Sequence, residues 1–174
     1  ISIYESSDLG LTWQEIGHTP LYHKEPSLAV AGDGTLVLFA ANGDFRPGVD
    51  RRFHLMARSQ DGGRIWDVST YKSESGPRNI ITEADGSLLF VTEVKPDWNN
   101  EGGGSTNLLL HRSQDAGKTW ATSEGEIDWD WTGFGEVAVI RFQDGRLLAA
   151  LRRRIPHTLY EGYEDTVVTE STDN

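Results

Sequence analysis

The chain has 174 residues and carries 27 acidic against 16 basic side chains, a formal net charge of −11. Such a surface repels a phosphate backbone, which removes nucleic acid from the expected partners, and no stretch approaches the roughly 20 apolar residues a helix needs to span a bilayer. With no cysteine there is neither a disulfide framework nor a thiolate metal site, while 19 glycines, six Trp, five Tyr and six Phe among short apolar runs point to an all-β chain of many short strands.

In chain order, the first element is an alternating run, Ile1–Glu5, leading into Ser6-Ser7-Asp8-Leu9-Gly10-Leu11-Thr12-Trp13. Two apolar runs follow, Ser27–Ala31 and Thr35–Ala40, joined by Asp33-Gly34, a strong hairpin signal. Phe53–Arg58 alternates again and leads into a second copy of the turn, Ser59-Gln60-Asp61-Gly62-Gly63-Arg64-Ile65-Trp66. The order then repeats: Asn79–Glu83, Asp85-Gly86, Ser87–Thr92, Asn107–Arg112, and Ser113-Gln114-Asp115-Ala116-Gly117-Lys118-Thr119-Trp120. A third round runs Val137–Phe142, Asp144-Gly145, Arg146–Leu151, Thr166–Glu170 and the opening of a fourth copy at Ser171-Thr172-Asp173.

The copies of S-x-D-x-G-x-x-W begin at residues 6, 59, 113 and 171, a period that suits one four-stranded propeller blade. In each, the Asp carboxylate accepts from backbone N–H groups further on, Gly supplies a positive φ, and Trp packs back on the sheet. These residues read as structural, since catalysis by Asp8, Asp61 or Asp115 would place one reaction in three equivalent places. With strands A to D in each repeat, residues 1–20 read as the end of one blade, 21–74 and 75–128 as blades, and 129–174 as an incomplete blade. The A–B and C–D turns share one end. The long B–C connections, 41–52, 94–106 and 152–165, lie at the other, and long loops on one face of a rigid scaffold are where binding concentrates.

The turn copies resemble the Asp boxes of the sialidase superfamily. Gly135-Glu136-Val137 through Asp144-Gly145 to Leu151-Arg152 is similar to the sialidase segment in which a Glu opens one strand and an Arg ends the next. The resemblance implies a six-bladed propeller of which about three blades are present, so that the chain reads as a fragment. It also implies a Glu that polarises a tyrosine nucleophile, matched by Glu136, and an Arg that grips a substrate carboxylate, matched by Arg152. An Arg fork suits a carboxylate because two parallel N–H···O bonds form; the alternative reading of this pair is a salt bridge closing a blade end. Asp50, on a B–C loop, resembles the catalytic acid/base Asp of the family, against the plain reading of a solvated loop carboxylate. Where the family has an aromatic followed by Arg-Ile-Pro, this chain has Tyr22-His23-Lys24-Glu25-Pro26. The nucleophile Tyr and a further Arg are expected beyond Asn174.

Glu25, Arg78 and Trp131 complete the candidate substrate-binding residues. Trp131 belongs to Asp128–Phe134, the aromatic cluster before Glu136, and Trp98, Trp129, Phe134, Tyr160 and Tyr163 also fall in connections on that face, where sugar rings can stack. His23, His54 and His157 lack metal-ligand spacing, so no metal or cofactor is expected. Three functions remain open. One is a sialidase-like exo-glycosidase releasing a terminal acidic sugar. Another is a two-carboxylate glycosidase pairing Glu136 with Glu25 or Asp50, whose stereochemistry follows the carboxyl separation, about 5–5.5 Å for retention and about 6.5–9.5 Å for inversion. The last is a non-catalytic propeller binding glycan or protein. A glycan partner, a secreted or periplasmic location and, as a minor alternative, two half-propellers closing one ring complete the expectations.

Overall fold

The computed structural model describes residues 1–19, 24–41, 48–50, 52–73, 75–93, 107–125, 134–154 and 164–171. Among them the chain is all-β: β1 (Ser2–Glu5), β2 (Gln14–His18), β3 (Lys24–Val30), β4 (Leu36–Ala41), β5 (Phe53–Ser59), β6 (Asp67–Lys72), β7 (Ile81–Thr82), β8 (Leu88–Glu93), β9 (Leu108–Ser113), β10 (Ala121–Gly125), β11 (Phe134–Arg141), β12 (Leu147–Arg154) and β13 (Glu164–Ser171). They form four antiparallel sheets in which sequence neighbours pair: β1-β2, β3-β4-β5-β6, β7-β8-β9-β10 and β11-β12-β13.

The burial pattern explains why the second strand of each repeat is a continuous apolar run rather than an alternating one. In β4, Val37 and Phe39 meet Met56, Leu88 and Phe90 on one face of the sheet. Leu38 and Ala40 turn to the opposite face, where Ala57, Ile1, Ile3 and Trp66 pack. A third cluster joins Val91 and Leu108 to Val137, Val139, Ala149 and Leu151. The sheets β3–β6 and β7–β10 are thus buried between their neighbours, and each fully buried Val, Leu or Phe contributes roughly 1.5–3 kcal/mol. The outer strands β6 and β10, with sequences DVSTYK and ATSEG, are mostly exposed and correspondingly polar.

The repeated turns close as their chemistry requires. Asp8 Oδ1 accepts from the Thr12 N–H at 2.8 Å, Ser6 Oγ accepts from the Gly10 N–H at 2.8 Å, and Trp13 Nε1 donates to the Gly10 carbonyl at 3.0 Å. The same bonds recur from Ile65 to Asp61 and from Thr119 to Asp115. Hydrogen bonds from Thr12 hold Asp8 at a pKa of about 2, and those from Thr119 outweigh desolvation to hold Asp115 there as well. These carboxylates are committed to their own turns.

The first strand of the middle sheet departs from the sequence expectation. The run Asn79–Glu83 reads as a whole strand in the sequence, but the ladder holds only Ile81–Thr82, with the Glu83 N–H donating to the Ser87 carbonyl at 2.8 Å across the turn. Asn79 instead bonds the neighbouring sheet, donating from Nδ2 to the Val139 carbonyl at 2.6 Å and accepting on Oδ1 from the Val139 N–H at 2.9 Å. Its side-chain amide substitutes for a strand backbone. Glu83 takes Arg141 in a two-pronged ion pair at 2.8 and 3.1 Å, and Thr82 Oγ1 donates to the Val30 carbonyl at 2.6 Å. The first strands of adjacent sheets are therefore tied by polar links as well as by the apolar packing of Ile80 and Ile81. At the turn end the approach is closest: the Gly32 N–H donates to the Gly86 carbonyl at 2.9 Å, and a Cβ on Gly32 would sit 2.6 Å from Gly86 Cα.

Candidate functional site

Opposite the repeated turns, the start of each first strand and the end of each second strand share a rim. Glu25 and Glu136 each precede the Asp of their Asp-Gly turn by eight residues, and Glu93 and Arg152 each follow theirs by eight. The hairpins β3-β4 and β11-β12 therefore bring their acids to corresponding places. In both, the ladder shifts register at the glutamate, between Lys24 and Pro26 and between Gly135 and Ala138. Glu25 and Glu136 take left-handed backbone, with φ of 54° and 56°. A non-glycine residue held there costs of the order of 1–3 kcal/mol, and such outliers cluster at functional sites.

Arg78 stands between the two glutamates. It lies in the segment that leaves the ladder before β7, one residue from Asn79. Its Nη1 pairs with Glu25 Oε2, and its Nη2 donates to Glu136 Oε1 at 2.8 Å. Arg152 Nε reaches the other oxygen of Glu136 at 3.0 Å. The result is a continuous line of alternating charge, Glu25, Arg78, Glu136, Arg152, contributed by three sheets. Burial opposes the charge on Arg78, but the hydrogen bond from Arg78 to Glu25 and the fields of Glu25, Glu136 and Glu93 outweigh it and raise the Arg78 pKa. Arg78 Nε is buried and finds no acceptor among the described residues.

Sequence reasoning placed Glu136, Arg152, Glu25 and Arg78 among the site residues, and they meet in this line; Arg152 is the backbone partner of Gly135. Glu93 was missed. It ends β8, is 3% exposed, and lies where a Cβ on Gly135 would be 3.6 Å from its Oε1 and 4.0 Å from Arg152 Nη2. Its offset from Asp85-Gly86, the same as that of Arg152 from Asp144-Gly145, was the available signal. Asp50 is held by Arg52, which donates from Nε to Oδ1 at 2.9 Å and from Nη2 to Oδ2 at 2.8 Å. These bonds, with the Arg52 N–H, keep the Asp50 pKa at about 2. Trp131 lies outside the described residues, as do Trp98, Trp129, Tyr160 and Tyr163. Phe134 opens β11 rather than a connection, and β12 continues through Arg152 to Arg154.

No family model and no curated protein matches the chain. Solved structures do. A protein of unknown function from Dyadobacter fermentans superposes with a TM-score of 0.68 at 20% identity, over 99% of this chain and 54% of that one. The α-L-arabinanase of Penicillium chrysogenum complexed with arabinobiose gives 0.59 at 20% identity, over 85% and 45%. The Hadza microbial sialidase Hz136 gives 0.59 at 18% identity, over 86% and 35%. The chain has the sialidase-type β-propeller fold. It spans about half the length or less of the propellers it matches. The stacked sheets are the propeller's blades, and the line of charge occupies the blade rim where the first strands of three blades approach one another.

Proposed function

We propose that the whole protein is a glycoside hydrolase of the two-carboxylate type, with Glu136 and Glu25 as the acid pair. The observation that carries this reading is their attachment to different nitrogens of one guanidinium, Arg78. That fork brings two carboxyl groups into one site, as a mechanism with carboxyls on either side of a glycosidic bond requires, at about 5–5.5 Å for retention or about 6.5–9.5 Å for inversion. The two acids share a backbone conformation and a blade position but differ in surroundings: Arg152 reaches Glu136, and Glu25 is the more exposed of the two. Unequal surroundings are what divide one pair of carboxyls into a proton donor and an anion.

The charge balance favours an uncharged sugar. Among the described residues of the cluster, Glu25, Glu93 and Glu136 outnumber Arg78 and Arg152, which suits an uncharged sugar better than an anionic one. The fold shared with an arabinanase that binds arabinobiose is in keeping with this. A sialidase-like activity on a terminal acidic sugar is the second reading, favoured by the position of Arg152 beside Glu136 at the rim. The test is turnover by the full-length protein of aryl α-L-arabinofuranosides, other neutral aryl glycosides and a fluorogenic sialoside, with Glu25→Gln, Glu136→Gln and Arg152→Ala in parallel. Hydrolysis of a neutral glycoside that both Gln variants lose supports the proposal. Hydrolysis of the sialoside alone, abolished by Arg152→Ala, favours the second reading. Turnover unchanged in all three variants removes the site assignment.

A further inference from the structure

We infer that Arg78 is a positioning residue that sets the spacing of the carboxyl pair, rather than a group that grips substrate; this rests on the glycosidase reading above. Three observations carry it. First, both ends of its fork are engaged within the protein, on glutamates 53 residues before and 58 residues after it, which belong to the blades on either side. Second, Arg78 and Asn79 act as consecutive halves of one cross-blade clamp: Asn79 fixes the backbone at Val139 through two hydrogen bonds while Arg78 fixes the carboxylate at Glu136, three residues earlier on the same strand. This clamp is why the strand of the middle blade shortens to Ile81–Thr82. Third, the glutamates it joins are the two non-glycine residues held at left-handed φ among the described residues of the rim. A carboxylate on a bulged, left-handed residue gains directional control from a bond that crosses to another blade, and a planar two-pronged donor supplies it as a lysine cannot.

The consequence for the reaction is specific. A shared donor between them holds the two carboxyl groups at one spacing, and removing it leaves that spacing unset. A misplacement of about 1 Å in such a pair costs on the order of 100-fold in rate. The experiment compares Arg78→Met and Arg78→Lys with the parent, on the neutral glycoside that the parent hydrolyses, recording kcat, KM and the thermal midpoint. In Arg78→Met, kcat falls about 100-fold with KM within about threefold. In Arg78→Lys, which keeps the charge but not the fork, kcat also stays low with KM within about threefold of the parent. A raised KM with kcat unchanged in either variant makes Arg78 a substrate-binding group and overturns the inference, as does parental behaviour in both. Glu136→Gln is assayed alongside: equal turnover by it and the parent contradicts the assignment of the carboxyl pair on which the inference rests, and the inference falls with it, whereas loss of turnover in Glu136→Gln with parental Arg78 variants overturns the inference alone. Should Arg78→Met melt before assay, Arg78→Lys alone decides, by low kcat against raised KM.

Discussion

His111 makes the packing of the middle blade against its predecessor sensitive to acid. The ring is 2% exposed and stacks on Phe90 at 4.4 Å and 19°. Its Nδ1 lies 2.7 Å from the Tyr71 hydroxyl of the preceding blade, and its Nε2 lies 2.7 Å from Thr92 Oγ1. Desolvation by burial lowers its pKa from 6.5 to about 4. The unfolded chain therefore binds the proton more readily than the folded one, so stability is full above pH 6.5 and declines as the pH falls towards 4. Between pH 7.5 and pH 4.5 this coupling removes about 2.5 kcal/mol, out of the roughly 3.4 kcal/mol that the full difference between 6.5 and about 4 represents at about 1.4 kcal/mol per unit. Urea unfolding at the two pH values measures it, with His111→Phe as the reference because the variant keeps a ring on Phe90. The variant loses about 1–3 kcal/mol at pH 7.5 from the stranded hydroxyls, and its stability changes by about 2.5 kcal/mol less than the parent's on acidification. Equal pH dependence in the two proteins would refute the reasoning.

Two further predictions concern the scaffold. Asn79→Ala leaves the N–H and carbonyl of Val139 without their side-chain partner and is expected to cost about 2–3 kcal/mol in chemical denaturation; Asn79→Asp, which keeps only the acceptor, recovers part of that. Leu9 sits at φ 60° and is fully exposed, and the corresponding residue of the second turn is Gly62 at φ 74°. Leu9→Gly therefore relieves left-handed strain without losing burial, and a rise in stability of about 0.5–1 kcal/mol is expected from the thermal midpoint.

Much of the scaffold was legible in the sequence because its signals are local. Asp-Gly turns, alternation in β5 and β9, the continuous apolar runs of β4 and β8, and the Ser-x-Asp-x-Gly turns each depend on residues within one hairpin. What could not be read was set by contacts between blades. Nothing near Asn79 in sequence tells that its amide finds Val139, 60 residues on, in place of a strand partner. At the rim, Glu136 and Arg152 were visible as a pair because one hairpin carries both. The bridge through Arg78 to Glu25 joins three blades and became visible only when they were stacked. Glu93 was passed over because it closes a run of apolar residues, Leu88 to Val91 followed by Thr92, and reads as the exposed end of a strand until the neighbouring Gly135 is seen to make room for it.

The most direct test of the account is kcat/KM for hydrolysis of a neutral aryl glycoside by the full-length protein and by Glu136→Gln, at equal thermal stability. Since Glu136 is assigned a place in the chemical step, the variant is expected to lose at least about 1,000-fold, some 4 kcal/mol of transition-state stabilisation. Turnover by Glu136→Gln within about threefold of the parent would contradict it.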